Sequence, residues 1–314
     1  MQRIVQAKQR RVAQNRAQSA SQNECQYTLK TPLCNPMNVA FQGEIGAFSE
    51  EAVWALYGEV EAVPLPSMEA VFEAVASGRV ERGVVPIENS LFGSVHVNYD
   101  LLRAHHVHIV AELKLRVRHH LMAAPGTTLD DIRRVHSHPQ ALGQCQTYLR
   151  QRLPQAEAMP AYDTAGAAKM VAEEGQKDLA AIAAERAAVE YGLVVLATDI
   201  ESHHQNYTRF LALARDGGVP VDAEGLLKTS IVFALRENVP GALFKSLAVF
   251  ALRDLDLFKV ESRPLVGSPG NYLFYLDFEG SIADVPVQRA LDHLGEITAQ
   301  MKVLGSYPQG KTVG

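Results

Sequence analysis

The stretch IVAELKLRVRHHLMA, residues 109–123, decides how the chain is organised. It alternates in polarity along its length: Leu113, Leu115 and Val117 fall on one face, and lysine and arginine side chains fall on the other. A strand of this length can cross from one lobe of a protein to another. The sequence therefore predicts two lobes, and ligands usually bind in the cleft between lobes.

Strands and helices alternate on both sides of this stretch, which predicts an α/β fold with mostly parallel sheets. We assign residues 38–216 to the two-lobed domain, with the second lobe at about residues 117–193. A polar linker follows at residues 217–227. The β-α-β-β-α-β order predicted for residues 228–308 is typical of a ferredoxin-like domain, and residues 309–314 are left as a tail.

Composition excludes several classes of protein. The chain has 314 residues, 47% of them apolar, and a net charge of -5, which argues against a nucleic-acid surface. No apolar run reaches the length of about 18 residues that a membrane span needs. The three cysteines lack C-x-x-C spacing, and their odd number fits free thiols in a reducing compartment. Histidines occur in close pairs, but no carboxylate or cysteine completes a ligand set, so we expect no metal.

The first 37 residues differ from the rest, because Glu24 is their one acid among several arginines and lysines. Two interpretations remain open. An arginine-rich, acid-poor segment is typical of a targeting presequence, which would allow a plastid location. A basic tail at the start of a cytoplasmic protein has the same composition.

Three predicted strand-to-helix junctions carry polar side chains. PIENSLFGSV, residues 86–95, SHPQALGQC, residues 137–145, and YDTAGAAKM, residues 162–170, each place such groups where a strand ends and a helix begins. Helix starts offer free N–H groups to an anion, so each junction is a candidate binding element. Each is also explained by a plain helix cap or polar turn. The candidate side chains are Asn89, Ser90, Ser137, His138, Gln140 and Thr164.

A fourth polar group stands at the start of the apolar strand NYTRFLALA, residues 206–214. Asn206, Thr208 and Arg209 fall within four residues. In an ideal strand Asn206 and Thr208 point to one face and Arg209 to the other. Three such groups at one strand end predict one wall of a polar site.

In their order and spacing, these stretches resemble the prephenate dehydratase family, with its plant relatives the arogenate dehydratases. The resemblance covers about residues 39–307 and includes FQGEIGAFSEEA and KTSIVFAL. It implies a periplasmic-binding-protein-like catalytic domain followed by an ACT regulatory domain. It also implies a decarboxylating dehydration, of prephenate to phenylpyruvate or of arogenate to phenylalanine, that needs no cofactor.

The resemblance also implies roles for the polar groups. Thr208 is the residue that donates to the departing hydroxyl. Asn89, Ser90, Ser137, His138, Gln140, Thr164 and Asn206 supply neutral hydrogen bonds to the substrate. For Arg209 two roles stay open, because it either holds a substrate carboxylate or braces the wall of the site.

In the C-terminal domain, GALFKSLAVFALRD and KVESRP resemble the phenylalanine-binding motifs of ACT domains. The implied effector residues are Gly241, Ala242, Leu243, Glu261, Ser262, Arg263 and Pro264. The alternative for Glu261 and Arg263 is a salt-bridged strand end. Phe258 and Asp256 depart from the family pattern, which has Thr and Asn there. A shared effector site predicts a homodimer or homotetramer.

Three functions remain open on the sequence. The first is a prephenate dehydratase regulated by L-phenylalanine. The second is an arogenate dehydratase, which the stretches SVHVNYDLL, DTAGAAKMVA and KTSIVFALRE favour because they are closer to the plant branch. The third is a two-lobed amino-acid sensor without chemistry, against which the intact TRF motif argues.

Overall fold

The structure is a computed structural model and describes residues 37–217, 225–265 and 267–314. The predicted basic segment, up to residue 36, and most of the predicted linker therefore lie outside the described residues. The strands are β1 (Asn38–Gln42), β2 (Glu61–Leu65), β3 (Arg82–Asn89), β4 (Gly93–Ser94), β5 (His108–Arg116), β6 (His120–Ala123), β7 (Arg134–Ser137), β8 (Glu157–Pro160), β9 (Leu179–Ala183), β10 (Val194–Ala197), β11 (Tyr207–Ala214), β12 (Leu227–Leu235), β13 (Leu257–Pro264), β14 (Tyr272–Glu279), β15 (Thr298–Pro308) and β16 (Thr312–Val313). The helices are α1 (Phe48–Tyr57), α2 (Met68–Ala76), α3 (His96–Ala104), α4 (Pro139–Gln144), α5 (Gln146–Arg152), α6 (Thr164–Glu174), α7 (Glu185–Tyr191), α8 (Ala242–Ala251) and α9 (Val285–Ile297).

The first lobe is built on a sheet of strand order β16-β5-β11-β3-β1-β2, with β4 paired to β3. Strand β1 runs parallel to β2 and β3, whereas β11 runs antiparallel to β3 and β5. Strand β2 contains Pro64, which cannot donate to a sheet, and β2 lies at the edge. The long strand β11 lies in the middle and is buried along nearly its whole length.

The second lobe has a sheet of order β10-β6-β9-β7-β8. The alternating stretch that predicted a crossing is divided between the two lobes. Its first part is β5 in one sheet, and its last part is β6 in the other. Residues 117–119 make the crossing, and the chain returns through residues 198–206. This arrangement places a cleft between the lobes, beside the start of β11.

The C-terminal domain is a four-stranded sheet of order β13-β14-β12-β15 with helices α8 and α9. Its βαββαβ element order matches the prediction. One face of the sheet packs on these helices through residues such as Phe233 and Leu276. The other face shares a core with the first lobe, in which Val232 and Tyr275 join Leu211 of β11. The two domains are therefore held by a continuous apolar core.

The predicted tail at residues 309–314 is wrong, because its end is a strand of the first lobe. Strand β16 pairs in parallel with β5, with Thr312 opposite Lys114. Just before it, Gly310 lies against β5 so closely that a Cβ would stand 2.3 Å from the carbonyl oxygen of Glu112. Glycine permits this approach and thereby lets β16 pair with the sheet of the first lobe. Within the described ranges, no helix is long and apolar enough to cross a membrane.

Candidate active site

A β-bulge at the end of β3 sets the face that this strand shows to Thr208. Phe210 pairs with Pro86, but the register then shifts, and Thr208 pairs with Asn89. Ile87 is the extra residue of the bulge. If the pairing ran on from Pro86 without a bulge, Glu88 would stand opposite Thr208. The bulge follows a proline that cannot donate to the ladder, and it places a neutral amide, and not a carboxylate, opposite Thr208 on β11.

The Asn89 amide fixes the direction of the hydrogen bond to Thr208. Its Nδ2 group donates to Thr208 Oγ1 at 3.0 Å and to Asn206 Oδ1 at 2.8 Å. Its Oδ1 atom accepts from the backbone N–H groups of Leu91 and Phe92, so the amide cannot be reversed. Thr208 Oγ1 therefore accepts from Asn89, and no described residue accepts the Thr208 proton. That proton is free to be donated into the cleft.

The hydrogen bonds continue from Asn206 into the second lobe. Asn206 Nδ2 donates to Gln144 Oε1 at 3.1 Å, and His119 Nε2 lies 2.5 Å from the same oxygen. Because a carbonyl oxygen only accepts, His119 Nε2 carries the hydrogen. Burial lowers the pKa of His119 and outweighs the hydrogen bond to Gln144, which acts to raise it. The imidazole is therefore neutral near pH 7. This leaves the NH2 group of Gln144 available to a ligand.

Of these residues, Asn89, Thr208, His119 and Gln144 line a cavity of about 490 Å³ between the lobes. Its apolar walls include Phe48, Met68 and Phe210. Its polar walls include the starts of α1, α3 and α6, whose first N–H groups attract anions. The lining residues are Gln42, Gly43, Ala47, Phe48, Ser49, Met68, Pro86, Asn89, Phe92, Gly93, Ser94, Val95, Val117, His119, His138, Gln140, Ala141, Gln144, Asp163, Thr164, Thr208 and Phe210.

The structure brings together five of the predicted site residues as cavity lining: Asn89, His138, Gln140, Thr164 and Thr208. His138 Nδ1 accepts from the Gln140 N–H at 3.3 Å, so its hydrogen is on Nε2. Burial lowers the pKa of His138, and the imidazole is a neutral donor near pH 7. Gln144 and His119 were not predicted. Gln144 carried a signal, since it stands four residues after Gln140 on the same helical face.

Two predicted serines do not line the cavity. Ser137 is fully buried, and its hydroxyl donates to the Ile182 carbonyl at 2.6 Å inside the second lobe. Ser90 links β3 to β11, because its hydroxyl donates to the Gln205 carbonyl and accepts from the Tyr207 N–H. Both therefore serve the scaffold. Asn206 is also fully buried, and it orients Asn89 and Gln144 from behind the cavity wall.

Arg209 points away from the cleft and into the C-terminal domain. Its guanidinium contacts Glu112 at 2.6 Å, Asp277 at 2.7 Å and the Tyr307 hydroxyl at 3.2 Å. Lys228 completes the cluster with a 2.7 Å contact to Glu112. Burial opposes the charge of Arg209, but the neighbouring anions outweigh it and raise its pKa. These contacts favour the bracing role over the carboxylate-holding role.

The predicted effector residues are divided between two faces of β13. Glu261 accepts from Ser94 at 2.5 Å, and Arg263 pairs with Asp100 at 2.7 Å, so both side chains face the catalytic domain. Ser262 and Pro264 alternate with them and are exposed on the other face. For the Glu261 and Arg263 side chains, these contacts favour the salt-bridge alternative. Gly241 caps α8 with φ of 81°, and Ala242 and Leu243 begin the helix.

Within the described ranges, no group of three or more His, Cys, Asp or Glu side chains is placed to hold a metal ion.

Comparison with known proteins decides the family. A family model described as "Prephenate dehydratase" matches residues 39–218. The chain belongs to the prephenate dehydratase family. It is an enzyme of the carbon–oxygen lyase class.

Individual relatives agree with this assignment. The Arabidopsis thaliana protein named "Arogenate dehydratase/prephenate dehydratase 2, chloroplastic" is 51% identical, over 88% of this chain and 74% of its own length. The solved prephenate dehydratase of Arthrobacter aurescens, in complex with L-Phe, has a TM-score of 0.81 at 34% identity. That match covers 87% of this chain and 90% of the other.

One similar structure carries a different activity. GqqA, described as a quorum quenching acylase, has a TM-score of 0.79 at 36% identity and covers 87% of this chain and 98% of its own. Acyl transfer needs a nucleophile whose proton is taken by an adjacent base. Thr208 accepts from the Asn89 amide, and no described residue is placed to take its proton. The geometry therefore supports a proton donor at this position and not a nucleophile.

Proposed function

We propose that the chain catalyses the decarboxylating dehydration of prephenate to phenylpyruvate, with arogenate, which would yield phenylalanine, as the second candidate substrate. In either reaction the ring carboxylate leaves as CO2 and its bonding electrons enter the ring. The C–O bond breaks at the same time, and the hydroxyl leaves as water after taking up one proton. Formation of the aromatic ring drives both reactions.

The observation that carries the proposal is the free proton of Thr208. The Asn89 amide donates to the hydroxyl oxygen and turns its hydrogen toward the cavity. A threonine hydroxyl is a weak acid, so Thr208 acts by a strong hydrogen bond to the leaving hydroxyl. The proton consumed in the reaction comes ultimately from water. Preorganised donors that are aimed at the developing charge supply much of the catalytic effect.

Neutral donors around the ring also suit this chemistry. His138, Gln140, Gln144 and Thr164 line the cavity, and burial keeps His138 uncharged near pH 7. The ring carboxylate must lose its charge to depart as CO2. A strong cation beside it would stabilise the ground state more than the transition state and would slow the reaction. Hydrogen bonds hold the carboxylate without this cost.

The decisive experiment offers prephenate and arogenate separately to the purified protein and follows phenylpyruvate and phenylalanine. For Thr208→Ala we expect kcat to fall by about 10²- to 10⁴-fold with little change in KM, because the variant lacks the donor. Thr208→Ser keeps the hydroxyl and is the matched control. Turnover of Thr208→Ala at the wild-type rate would contradict the role of Thr208. No product from either substrate would contradict the proposed function.

Regulation by L-phenylalanine is part of this proposal. It is supported by the L-Phe complex of the Arthrobacter aurescens relative and by the two sequence motifs at α8 and β13. We place the effector against the start of α8 and the exposed face of β13, in a homodimer or homotetramer. Exposed apolar side chains of this domain, among them Phe244 and Leu252, favour association. Light scattering with and without L-phenylalanine tests the assembly, and inhibition assays test the regulation.

The location of the protein also stays a proposal. The Arabidopsis thaliana relative is named chloroplastic, and residues 1–37 of this chain have the composition of a presequence or of a basic tail. A fluorescent protein fused behind residues 1–37 tests the choice in plant cells. Accumulation in plastids would establish a presequence, whereas a diffuse signal would support the cytoplasmic location.

A further inference from the structure

The charges that line the cavity do not match a substrate that is only an anion. Of the described lining residues, Asp163 is the only acid, and none is lysine or arginine. His119 and His138, the lining histidines, are kept neutral by burial. The fixed side-chain charge of the cavity is therefore negative. An anionic group of a ligand that lies beside Asp163 would be repelled by its charge.

Helix capping does not require the charge of Asp163. Its Oδ1 atom accepts from the Gly166 N–H and caps α6. Serine, threonine and asparagine cap helices about as well as aspartate and carry no charge. The second carboxylate oxygen, Oδ2, faces Gly43 across the cleft, about 3.9 Å from where a Cβ of that residue would stand. No described residue donates a hydrogen bond to this oxygen.

The neighbouring lysine makes its direct ion pair with another carboxylate. Lys169 lies six residues beyond Asp163 on α6, and its ammonium contacts Glu44 of the first lobe at 3.0 Å. It does not line the cavity. The Oδ2 atom of Asp163 is thus an anionic acceptor, at the point where the two lobes meet around the ligand, that still lacks a donor.

We propose that Asp163 is a specificity-determining residue that binds the ammonium group of the substrate side chain. Arogenate carries an ammonium group at the position where prephenate carries a keto group. The chain therefore selects the amino acid over the keto acid. This inference rests on the proposed function and names which of its two substrates the cavity prefers. The two carboxylates of the substrate bind at the starts of α1 and α3, which Asp163 does not cap.

The test measures kcat/KM for both substrates in wild type, Asp163→Ser and Asp163→Asn, which both keep a cap for α6. For arogenate we expect kcat/KM to fall roughly 10- to 100-fold, mainly through KM, which is the factor carried by a hydrogen bond between charged groups. For prephenate we expect kcat/KM to rise by about threefold to tenfold, because the variant lacks the negative charge that repels this anionic substrate. Only an electrostatic role moves the two substrates in opposite directions.

Two controls separate capping from recognition. Asp163→Ala removes the cap together with the charge, so a loss of thermal stability that Asp163→Ser does not share measures the cap alone. Asp131→Asn removes a carboxylate that caps a turn of the same lobe and does not line the cavity. Its ratio of arogenate to prephenate kcat/KM should equal that of wild type.

The outcomes separate this inference from the proposed function. An active Asp163→Ser variant with an unchanged substrate ratio, or with equal losses for both substrates, would overturn the inference alone. A wild-type protein that turns over neither substrate would overturn the proposed function and the inference together. A wild-type preference for prephenate would also overturn the inference, because Asp163 is proposed to select arogenate.

Discussion

Two interfaces border the cleft, and they are built from different chemistry. The interlobe interface includes the polar contacts Lys169–Glu44 at 3.0 Å and Tyr191–Ile45 at 2.7 Å, together with the pair of Arg186 and the buried Glu50 at 2.8 Å. Both members of the Lys169–Glu44 pair are more than two-fifths exposed. Water can replace such contacts at little cost. Opening of the lobes would therefore cost little at the exposed contacts and more at Arg186–Glu50, whose carboxylate is buried.

The domain interface joins the first lobe to the C-terminal domain, and it is buried. Arg209 and Lys228 share Glu112, while Arg209 also contacts Asp277, so two cations and two anions balance inside the protein. An apolar core surrounds this cluster. Because a broken buried ion pair leaves an unpaired charge, this interface resists separation. Strand β11, which carries Thr208 beside Arg209, should move with the C-terminal sheet and not with the second lobe.

Asp277→Asn tests the domain interface and should have the largest effect. The variant removes one anion from the cluster and keeps an acceptor for Ser230, which donates to Asp277 at 2.6 Å. We expect about 3–5 kcal/mol less stability toward unfolding, since a buried cation loses a partner. We also expect kcat to fall about 10- to 100-fold with KM nearly constant, because Thr208 is displaced. Denaturant unfolding and steady-state kinetics measure both.

A matched control tests whether the effect of Asp277→Asn depends on the burial of the ion pair. Asp100→Asn breaks the Arg263–Asp100 contact, which also joins the two domains but in which Asp100 is 47% exposed. It should cost at most about 1 kcal/mol and leave kcat unchanged. If Asp277→Asn proves equally mild, β11 is not held through Arg209.

Gly46→Ala tests whether the interlobe interface must close for catalysis. Gly46 has φ of 89°, and an added Cβ would stand 2.8 Å from the Cα atom of Ala187 in the other lobe. We expect kcat/KM to fall about tenfold, because the lobes are held apart and the reacting groups are misplaced. Gly192→Ala is the control, since Gly192 also has a positive φ but has open space around it. An equal loss of kcat/KM in both variants would show that backbone strain, and not the contact, is responsible.

Sequence reasoning reached the architecture because it depends on patterns with a clear period, and the resemblance pointed to Thr208, which lines the cavity. The sequence did not reveal which face of a strand each polar side chain occupies, because a shift in register by one residue reverses the faces. Ser137 and Arg209 are both inside the predicted motifs, yet each points away from the cleft. The bulge at Ile87, which sets Asn89 opposite Thr208, has no sequence signal beyond the preceding proline. Contacts that join distant segments, such as β16 on β5, were equally hidden.

The departure at Phe258 illustrates the same limit. The sequence marks Phe258 as unusual for the family. Its contact, however, is with Lys228, which lies thirty positions earlier in the chain. The ammonium of Lys228 lies 5.0 Å from the centre of the Phe258 ring, so this ring faces one of the cations of the buried cluster. Position-by-position comparison of motifs does not show this contact.

His119 tests the polar part of the interlobe interface through pH. Burial lowers its pKa below the ordinary value of 6.5, so the unfolded chain binds a proton more readily than the folded chain. Above pH 6.5 both states are neutral at His119 and stability is unaffected. As pH falls below 6.5, stability is lost, by about 1.4 kcal/mol for each unit of pKa lowering, until the folded state is also protonated.

The measurement compares the free energy of unfolding from pH 7.5 down to about pH 5 in wild type and His119→Gln, a range that spans the ordinary pKa of histidine. We expect a smaller acid-induced loss in the variant. His120, His136 and His138 also have lowered pKa values, so the slope should be reduced and not abolished. An unchanged slope would show that His119 is protonated equally in both states.

The smallest effect is expected for Glu44→Gln, and its value lies in comparison with Glu112→Gln. Both variants replace a glutamate that pairs with lysine by its neutral isostere, one at each interface. Exposed pairs contribute about 0–1 kcal/mol, so Glu44→Gln should barely change the free energy of unfolding, and kcat/KM should stay within about twofold of wild type.

Glu112→Gln leaves Arg209 and Lys228 facing a neutral group and should lower the free energy of unfolding by about 3–5 kcal/mol. Added salt should erase the small effect of Glu44→Gln, because exposed charges are screened, and should leave that of Glu112→Gln. Equal losses would mean that the two interfaces are energetically alike, and the second lobe would then be as firmly held as the C-terminal domain.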